Sequence, residues 1–256
     1  MCARINIFGA NMPINRQNFE AELSSVFKNN GLGAFLDKKR SELFFLLTER
    51  MLSENEKYNL TAITEPKKII LNHYADCALL AKRLPLGARV IDVGCGAGFP
   101  TLPLAIVRDD ISVVAMDSTA KRVNYVKETA ELLGLTNVTA TVFRAEDAAR
   151  LPEYREKFDY ATARAVAEMR VLAELCMPFV KVGGEMLAMK GKNAEFELSG
   201  AKKAISLLGG SGAAVESVTL VGSDEELTHP IITVKKKTKT PDAYPRPYAQ
   251  ISKKPL

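Results

Sequence analysis

A glycine-rich segment after an apolar run is the part of this chain best suited to chemistry. Residues 90–100 read V-I-D-V-G-C-G-A-G-F-P, where the β-branched start predicts a buried strand and Gly94, Gly96 and Gly98 follow at every second position. Glycines permit a sharp turn and let a ligand approach bare main chain. A helix-like segment at residues 101–108 would point free N–H groups at the same space. The segment therefore predicts a loop for a nucleotide-type cofactor.

The glycine spacing narrows the class of cofactor. Dinucleotide-binding loops follow G-x-G-x-x-G, whereas this loop reads G-x-G-x-G and continues with Phe99 and Pro100. The spacing therefore argues against a nicotinamide-dependent dehydrogenase, which would use the same architecture.

Charged residues at the ends of later predicted strands could complete such a site. Asp117 stands nineteen positions after Gly98, where a carboxylate either accepts hydrogen bonds from both ribose hydroxyls of an adenosine cofactor or caps the next helix. Glu146 follows the third strand and could face an adenine or only a helix N-terminus. Arg164 and Lys190 end the fourth and fifth strands, outside whose carboxyl ends ligands bind. Because an unpaired guanidinium is costly to bury, we expect Arg164 to contact substrate or cofactor.

Other candidate groups are few. His73 stands three positions before Asp76 on a predicted helix, so the two share a face and could form a polar lid over a site or a local structural hydrogen bond. His229 is expected to be structural. The sequence contains no G-x-S-x-G, no H-E-x-x-H and no paired acidic metal cluster. It therefore predicts no metal centre and no dedicated acid–base machinery.

Apolar periodicity predicts the elements that position these residues. Residues 1–83 show helical spacing, with Asp37 as a possible N-cap and a third helix opening at Pro66. Strands then alternate with helices, which predicts a doubly wound α/β sheet whose last two strands form an antiparallel edge hairpin. The strands are predicted at Arg89–Val93, Ser112–Asp117, Val138–Phe143, Phe158–Ala163, Glu185–Lys190, Ala214–Val221 and Ile231–Lys235, and the helices at Thr119–Leu133, Glu168–Val180 and Ala194–Leu208.

Length and charge suggest three parts: an N-terminal helical cap at residues 1–83, a cofactor-binding domain at 84–236 and a basic tail at 237–256. The chain has 256 residues, 47% hydrophobic and 25% charged, as in ordinary globular proteins. Its net charge is −4 over residues 84–234 and +6 over residues 235–256. The basic end suits either a polyanion such as nucleic acid or a merely solvated terminus.

The remaining composition points to the cytoplasm. We find no apolar run of membrane-spanning length and no secretory signal pattern. The four cysteines, Cys2, Cys77, Cys95 and Cys176, form no C-x-x-C pair, which favours free thiols in a reducing compartment.

These residues together resemble a known family, the bacterial 16S ribosomal RNA guanine-N7 methyltransferases, also called glucose-inhibited division protein B. The resemblance lies in D-V-G-C-G-A-G-F-P, then D-S, R-A-E, T-A-R-A and K-G, with N-L-T-A-I and H-x-x-D upstream and Y-P-R in the tail. It spans about Asn59 to Lys192, plus scattered tail residues. It implies a Rossmann-like, seven-stranded class I methyltransferase with an N-terminal helical extension, S-adenosylmethionine as cofactor, and 16S ribosomal RNA or the 30S particle as partner of a monomeric enzyme.

The resemblance also assigns roles to single residues. It implies that Arg164 closes the cofactor pocket. As a separate hypothesis, Arg164 and Lys190 hold a phosphate or the guanine O6. The remaining cofactor contacts that it implies are Gly94, Gly96, Gly98 and Phe99 in the first loop, Asp117, Ser118 and Thr119 on the ribose side, and Ala145 and Glu146 on the adenine side.

The chain also departs from the family pattern. Cys95 and Cys77 stand where the family commonly has serine, Thr101 replaces a frequent glycine and could cap the following helix, and the tail after Arg246 is less basic. Two other functions stay open: methylation of a small molecule or protein, and a non-enzymatic RNA-binding role in assembly. An enzyme acting on small molecules or proteins would not need the basic tail, so truncation after Val234 should spare its activity.

Overall fold

A seven-stranded sheet forms the centre of the computed structural model, which describes residues 14–256. The strand order is β3-β2-β1-β4-β5-β7-β6, with the first five strands parallel and β7 antiparallel to both β5 and β6. The predicted α/β class and the predicted edge hairpin are therefore confirmed. The strands are β1 (Arg89–Val93), β2 (Ser112–Asp117), β3 (Val138–Val142), β4 (Phe158–Arg164), β5 (Val180–Met189), β6 (Gly210–Val221) and β7 (Glu226–Lys236).

Helices cover both faces of this sheet. Alternate residues of β1 point to opposite sides: Val90 joins the core under the N-terminal helices, whereas Ile91 joins the core under the helices at Met169–Cys176 and Ala194–Leu207. Asp37 caps its helix as predicted, because its carboxylate accepts a hydrogen bond from the Arg40 N–H at 2.8 Å. The helices are α1 (Arg16–Asn29), α2 (Lys38–Tyr58), α3 (Pro66–Ile69), α4 (Asp76–Ala78), α5 (Thr101–Val107), α6 (Ala120–Leu132), α7 (Ala145–Ala148), α8 (Met169–Cys176), α9 (Ala194–Leu207) and α10 (Tyr248–Lys253).

Two segments differ from the expectation. The third helix begins at Pro66 as predicted but changes type, with a π-helix at Ile70–Ala75 between α3 and α4 and a 3₁₀-helix at Leu79–Arg83. The chain end, expected to be an irregular tail, contains the helix α10, whose Ile251 is fully buried. Contacts with residues distant in sequence order this end, and local periodicity could not predict them. Among residues 14–256, no helix is long and apolar enough to cross a membrane. The predicted free thiol Cys2 lies outside the described residues.

A buried hydrogen bond joins β1 to the helix that follows its loop. Asp92 is fully buried in β1, and the Thr101 hydroxyl donates to its Oδ2 at 2.6 Å. Thr101 was expected to cap α5, but its side chain is turned back toward the strand instead. Burial raises the pKa of Asp92 to about 6. The pair therefore holds the two ends of the glycine loop together through a group that titrates near neutrality.

We expect the free energy of unfolding of Asp92→Asn, relative to wild type, to increase from pH 4 to pH 7. The pKa of Asp92 is about 6 in the folded protein and about 3.9 in an unfolded chain, so the folded state holds the proton more tightly between these values. Wild type therefore loses stability as the pH rises through that window, by up to about 3 kcal/mol, whereas asparagine has no proton to lose. Urea denaturation at pH 4, 5.5 and 7 measures the difference.

Thr48→Val is the matched control, because it removes a buried hydroxyl bonded to Phe44 and Tyr74 and introduces no group that titrates in this window. Its stability difference from wild type should not change with pH. A difference for Asp92→Asn that is equally flat would contradict the raised pKa.

Candidate active site

The loop after β1 is built around backbone that only glycine adopts easily. Gly94 has φ +76°, and a Cβ there would lie 2.7 Å from Val166. The N–H groups of Gly94 and Cys95 both donate to the Met116 carbonyl, at 2.8 and 2.9 Å, which fastens the loop to β2. Gly98 also has a positive φ, but it packs against Leu102 beneath the loop. Gly94 and Gly96 are half-buried and Gly98 is buried, so the main chain at Gly94 and Gly96 is the part left open to a ligand.

A cavity of about 360 Å³ lies at the carboxyl ends of β1 to β4. Its size falls in the range of about 300–1,000 Å³ usual for small-molecule sites. The predicted residues Asp117, Ser118, Thr119, Ala145 and Glu146 all line it. The other lining residues are Val93, Gly94, Met116, Arg122, Phe143, Arg144, Ala165, Val166, Ala167, Leu175 and Tyr248.

Asp117 both holds the loop and faces this cavity. Its Oδ2 accepts from the Gly96 N–H at 3.1 Å and its Oδ1 from the Thr119 N–H at 2.8 Å. The carboxylate is nearly buried, with Arg122 3.6 Å away. Sequence reasoning posed helix capping and ligand binding as alternatives. Asp117 does not cap the helix, because α6 begins at Ala120 after the N-cap Thr119, whose own N–H is the one that Asp117 holds. Since an ionised carboxylate has about four acceptor positions, Asp117 keeps acceptor capacity toward the cavity.

Glu146 lies at the far side of the same cavity, in α7. Its side chain is nearly buried, and Oε1 is 3.6 Å from the Arg144 guanidinium. A buried carboxylate at a helix N-terminus is favoured by the helix dipole, and it also presents an acceptor to the cavity. Both readings raised by the sequence are compatible with this position.

A second cavity, of about 260 Å³, adjoins the first and shares Gly94, Arg122 and Ala165 with it. The connector at residues 59–64 forms one wall, because Asn55 bonds both the N–H and the carbonyl of Thr61 at 2.9 Å. The remaining lining residues are Asn59, Leu60, His73, Cys95, Gly96, Ala97, Phe99 and Arg164. The predicted residues Phe99 and Arg164 thus lie here and not in the first cavity.

His73 contributes an uncharged aromatic ring to the wall of the second cavity. Its ring stacks on Phe99 with centroids 4.5 Å apart and 22° between the planes, and Nε2 is 2.9 Å from the Thr61 hydroxyl. Burial, together with the neighbouring charge of Arg164, lowers the pKa of His73 to about 4. The imidazole is therefore neutral at physiological pH.

Arg164 reaches the site but is bound within the protein. Its Nη2 donates to the Asn72 carbonyl at 2.8 Å, and its Nη1 lies 3.4 Å from Cys77 Sγ. Its Nη2 is also 3.2 Å from His73 Nδ1. The guanidinium therefore links the end of β4 to the π-helix and presents one side to the second cavity.

The expected pairing of His73 with Asp76 is wrong. The Asp76 carboxylate lies 2.7 Å from His229 Nδ1 and 3.8 Å from Arg164 Nε. The reason is the π-helix that runs through residues 70–75: its wider turn removes the α-helical relation between positions i and i+3. His229, expected to be structural, is the group that contacts this buried carboxylate.

Lys190 lies beside the first cavity and does not line it. Its ammonium donates to the Ala167 carbonyl at 2.7 Å and is 2.6 Å from a Glu197 carboxylate oxygen. Its side chain is 9% exposed. Lys190 thus braces the loop at residues 165–167, which walls the cavity, and its charge is balanced by Glu197.

Sequence reasoning missed several residues of the site. Asp92 carried a usable signal, since a carboxylate inside an apolar strand has to find a buried partner. Asn59 was considered only as the first residue of the N-L-T-A-I motif, and no role in the site was predicted for it. Tyr248 carried no local signal, because its place depends on how the chain end packs. Within residues 14–256, no group of three or more His, Cys, Asp or Glu side chains is arranged to hold a metal ion.

Comparison with known proteins places this arrangement in a family. The family model for GidB, rRNA small subunit methyltransferase G, matches residues 40–227. The ribosomal RNA small subunit methyltransferase G of Clostridium perfringens is 44% identical over 89% of this chain and 95% of its own length. The protein of the same name from Leuconostoc mesenteroides is 44% identical over 95% of this chain and 100% of its own length.

A solved structure shows the same fold. The SAM-dependent O-methyltransferase from Thermotoga maritima matches with a TM-score of 0.50 and 18% identity, over 74% of this chain and 72% of that one. This likeness shows that the two chains share a fold. The chain belongs to the GidB family of rRNA small subunit methyltransferases G.

Proposed function

We propose that this protein transfers a methyl group from S-adenosylmethionine to N7 of a guanine in 16S ribosomal RNA. The observation that carries the proposal is the pair of adjoining cavities that share Gly94, in a chain of an rRNA methyltransferase family. One cavity offers polar groups to a nucleoside, and the other offers aromatic and amide groups to an acceptor base. Such an enzyme acts in the cytoplasm, where ribosomal RNA is found.

The first cavity fits an adenosine-containing methyl donor. Gly94 leaves bare main chain where a side-chain carbon would collide with Val166. Asp117 keeps acceptor capacity beyond its two main-chain bonds, which suits the two ribose hydroxyls. Glu146 offers a buried acceptor to the amino group of an adenine. When bound, S-adenosylmethionine would supply an electrophilic sulfonium methyl group.

The second cavity suits an acceptor that needs no base. Guanine N7 carries a lone pair and no proton at neutral pH, so the protein's task is to orient the base and exclude water. Asn59 offers an amide and Phe99 an apolar ring face, while neutral His73 adds no positive charge beside a cationic methyl donor. The guanine has to be unstacked or single-stranded to enter.

Exposed cations at the mouth of both cavities favour a nucleic-acid substrate. The side chains of Arg122 and Arg144 are 56% and 57% exposed, and Arg122 borders both cavities. Guanidinium groups in such positions bind phosphate oxygens and fix the register of the strand. Lys253 and Lys254 are exposed on the chain end nearby, after Tyr248.

Incubation of the protein with methyl-labelled S-adenosylmethionine should label small-subunit RNA, and nucleoside analysis should recover the label as 7-methylguanosine. Naked 16S RNA and 30S particles, both lacking the modification, are tested side by side to identify the substrate form. Label in another nucleoside would correct the acceptor atom. Labelling of small molecules or protein alone would overturn the RNA substrate, and no transfer to any acceptor would support a non-enzymatic binding role.

Gly94→Ala should weaken binding of S-adenosylmethionine at least tenfold in isothermal titration calorimetry. The new Cβ would collide with Val166, whose β-branched side chain cannot easily turn aside, at the wall shared by both cavities. Gly134→Ala is the matched control, since it imposes the same left-handed strain at φ +66° with nothing within 4 Å of the added carbon. Equal affinities for the two variants would show that the loop main chain does not contact the cofactor.

Arg164→Ala should lower the rate of methyl transfer at least tenfold while changing the affinity for S-adenosylmethionine less than threefold. The guanidinium lines the second cavity, so its loss affects acceptor placement more than cofactor binding. Arg170→Ala, at a partly exposed arginine paired with Glu168, should change neither quantity. A parallel loss of rate and affinity in Arg164→Ala would place the guanidinium at the cofactor, and an unchanged rate would remove it from the site.

A further inference from the structure

The chain end after β7 follows a path fixed by arginines of the methyltransferase fold. Arg155 donates to the carbonyls of Thr240 at 2.8 Å and Tyr244 at 2.9 Å. Arg150 donates to the carbonyl of Pro245. Both donors lie between α7 and β4. The segment is therefore fastened here through its main-chain carbonyls.

A buried carboxylate paired with an arginine fixes the last part of this path. Glu174, in α8, is fully buried and accepts three hydrogen bonds from Arg246: from its N–H at 2.8 Å, Nε at 2.9 Å and Nη2 at 2.6 Å. A buried carboxylate that lost this partner would be left uncompensated, which is strongly unfavourable. The bond thus holds the chain end against α8.

Two residues beyond this clamp, the chain end reaches the cofactor cavity. Tyr248 opens α10 and lines the same cavity as Asp117 and Glu146, with its side chain partly exposed. Its ring centroid is 5.7 Å from the Arg144 guanidinium, a cation–π distance, and the same guanidinium is 3.6 Å from Glu146. Ile251, fully buried three residues later, anchors the other face of the short helix.

We propose that Tyr248 is a cofactor-binding residue, and that the chain end is the outer wall of the nucleoside pocket. The inference rests on the proposed function, since it assigns the adenosine end of S-adenosylmethionine to this cavity. An aromatic ring can stack on any base. Phe143 and Tyr248 are the aromatic residues that line the cavity, and Tyr248 is the one that the chain end supplies. The pocket is therefore completed by a residue more than eighty positions along the chain from the strand ends that form its floor.

The packing of the chain end changes how an experiment that truncates the tail must be interpreted. Truncation after Val234 was expected to spare an enzyme that acts on small molecules or proteins. In the structure, it would remove Tyr248 from the pocket and leave Glu174 buried without Arg246. The truncated protein should lose cofactor binding whatever its methyl acceptor, so a point substitution has to replace the truncation.

The test measures the affinity of the full-length protein for S-adenosylmethionine and for S-adenosylhomocysteine, which share the adenosine group, by isothermal titration calorimetry. Tyr248→Ala should weaken both at least tenfold, and Tyr248→Phe, which keeps the ring, should stay within threefold of wild type. Phe196→Ala removes an aromatic ring that is 82% exposed on α9 and should change neither affinity. Thermal unfolding of each variant verifies that the fold is intact.

The outcomes separate this inference from the function on which it rests. If wild type binds both ligands and Tyr248→Ala binds them within twofold of wild type, Tyr248 does not contact the cofactor and the inference is overturned. If Tyr248→Phe is as weak as Tyr248→Ala, Tyr248 contacts the cofactor through its hydroxyl, and stacking of the ring on the base is overturned. If wild type binds neither ligand, the proposed function itself fails.

Discussion

The site depends on the fastening of the loop after β1 to the end of β2. Three main-chain donors make it: the N–H groups of Gly94 and Cys95 bond the Met116 carbonyl, and that of Gly96 bonds the Asp117 carboxylate. These bonds hold the loop in a left-handed turn that leaves the main chain of Gly94 exposed between the two cavities. Because Asp117 makes one of the bonds, the carboxylate best placed for a ligand is also the one that shapes the loop.

The two cavities differ in the charged groups that line them. The first has two carboxylates, Asp117 and Glu146, each near an arginine, and so can hold hydroxyl and amino groups of a nucleoside. The second has a neutral His73 and an Arg164 whose donors are partly used by the Asn72 carbonyl. In the proposed reaction neither cavity needs a general base for attack by guanine N7, so placement of the reacting groups is the expected source of rate.

Local sequence patterns predicted most of the strands and the antiparallel hairpin at the edge of the sheet. The bounds of β1 and β2 agree with the sequence pattern at both ends, because their apolar runs are short, β-branched and bounded by turn residues. The polar residues at these strand ends were also found, since topology brings the carboxyl ends of parallel strands to one edge. The pairing of His73 with Asp76 was predicted wrongly, because a π-helix changes which side chains share a face.

The sequence by itself determined the strands, the glycine turn and the residue types that line the first cavity, because each follows from a local pattern of size, branching and charge. Only the tertiary structure decided which groups those residues meet: Asp76 contacts His229, Lys190 is held by Glu197, and Tyr248 reaches the pocket. These contacts join residues that are close in space and distant along the chain. Local propensity cannot encode such contacts, since they exist only after the sheet and its helices have packed.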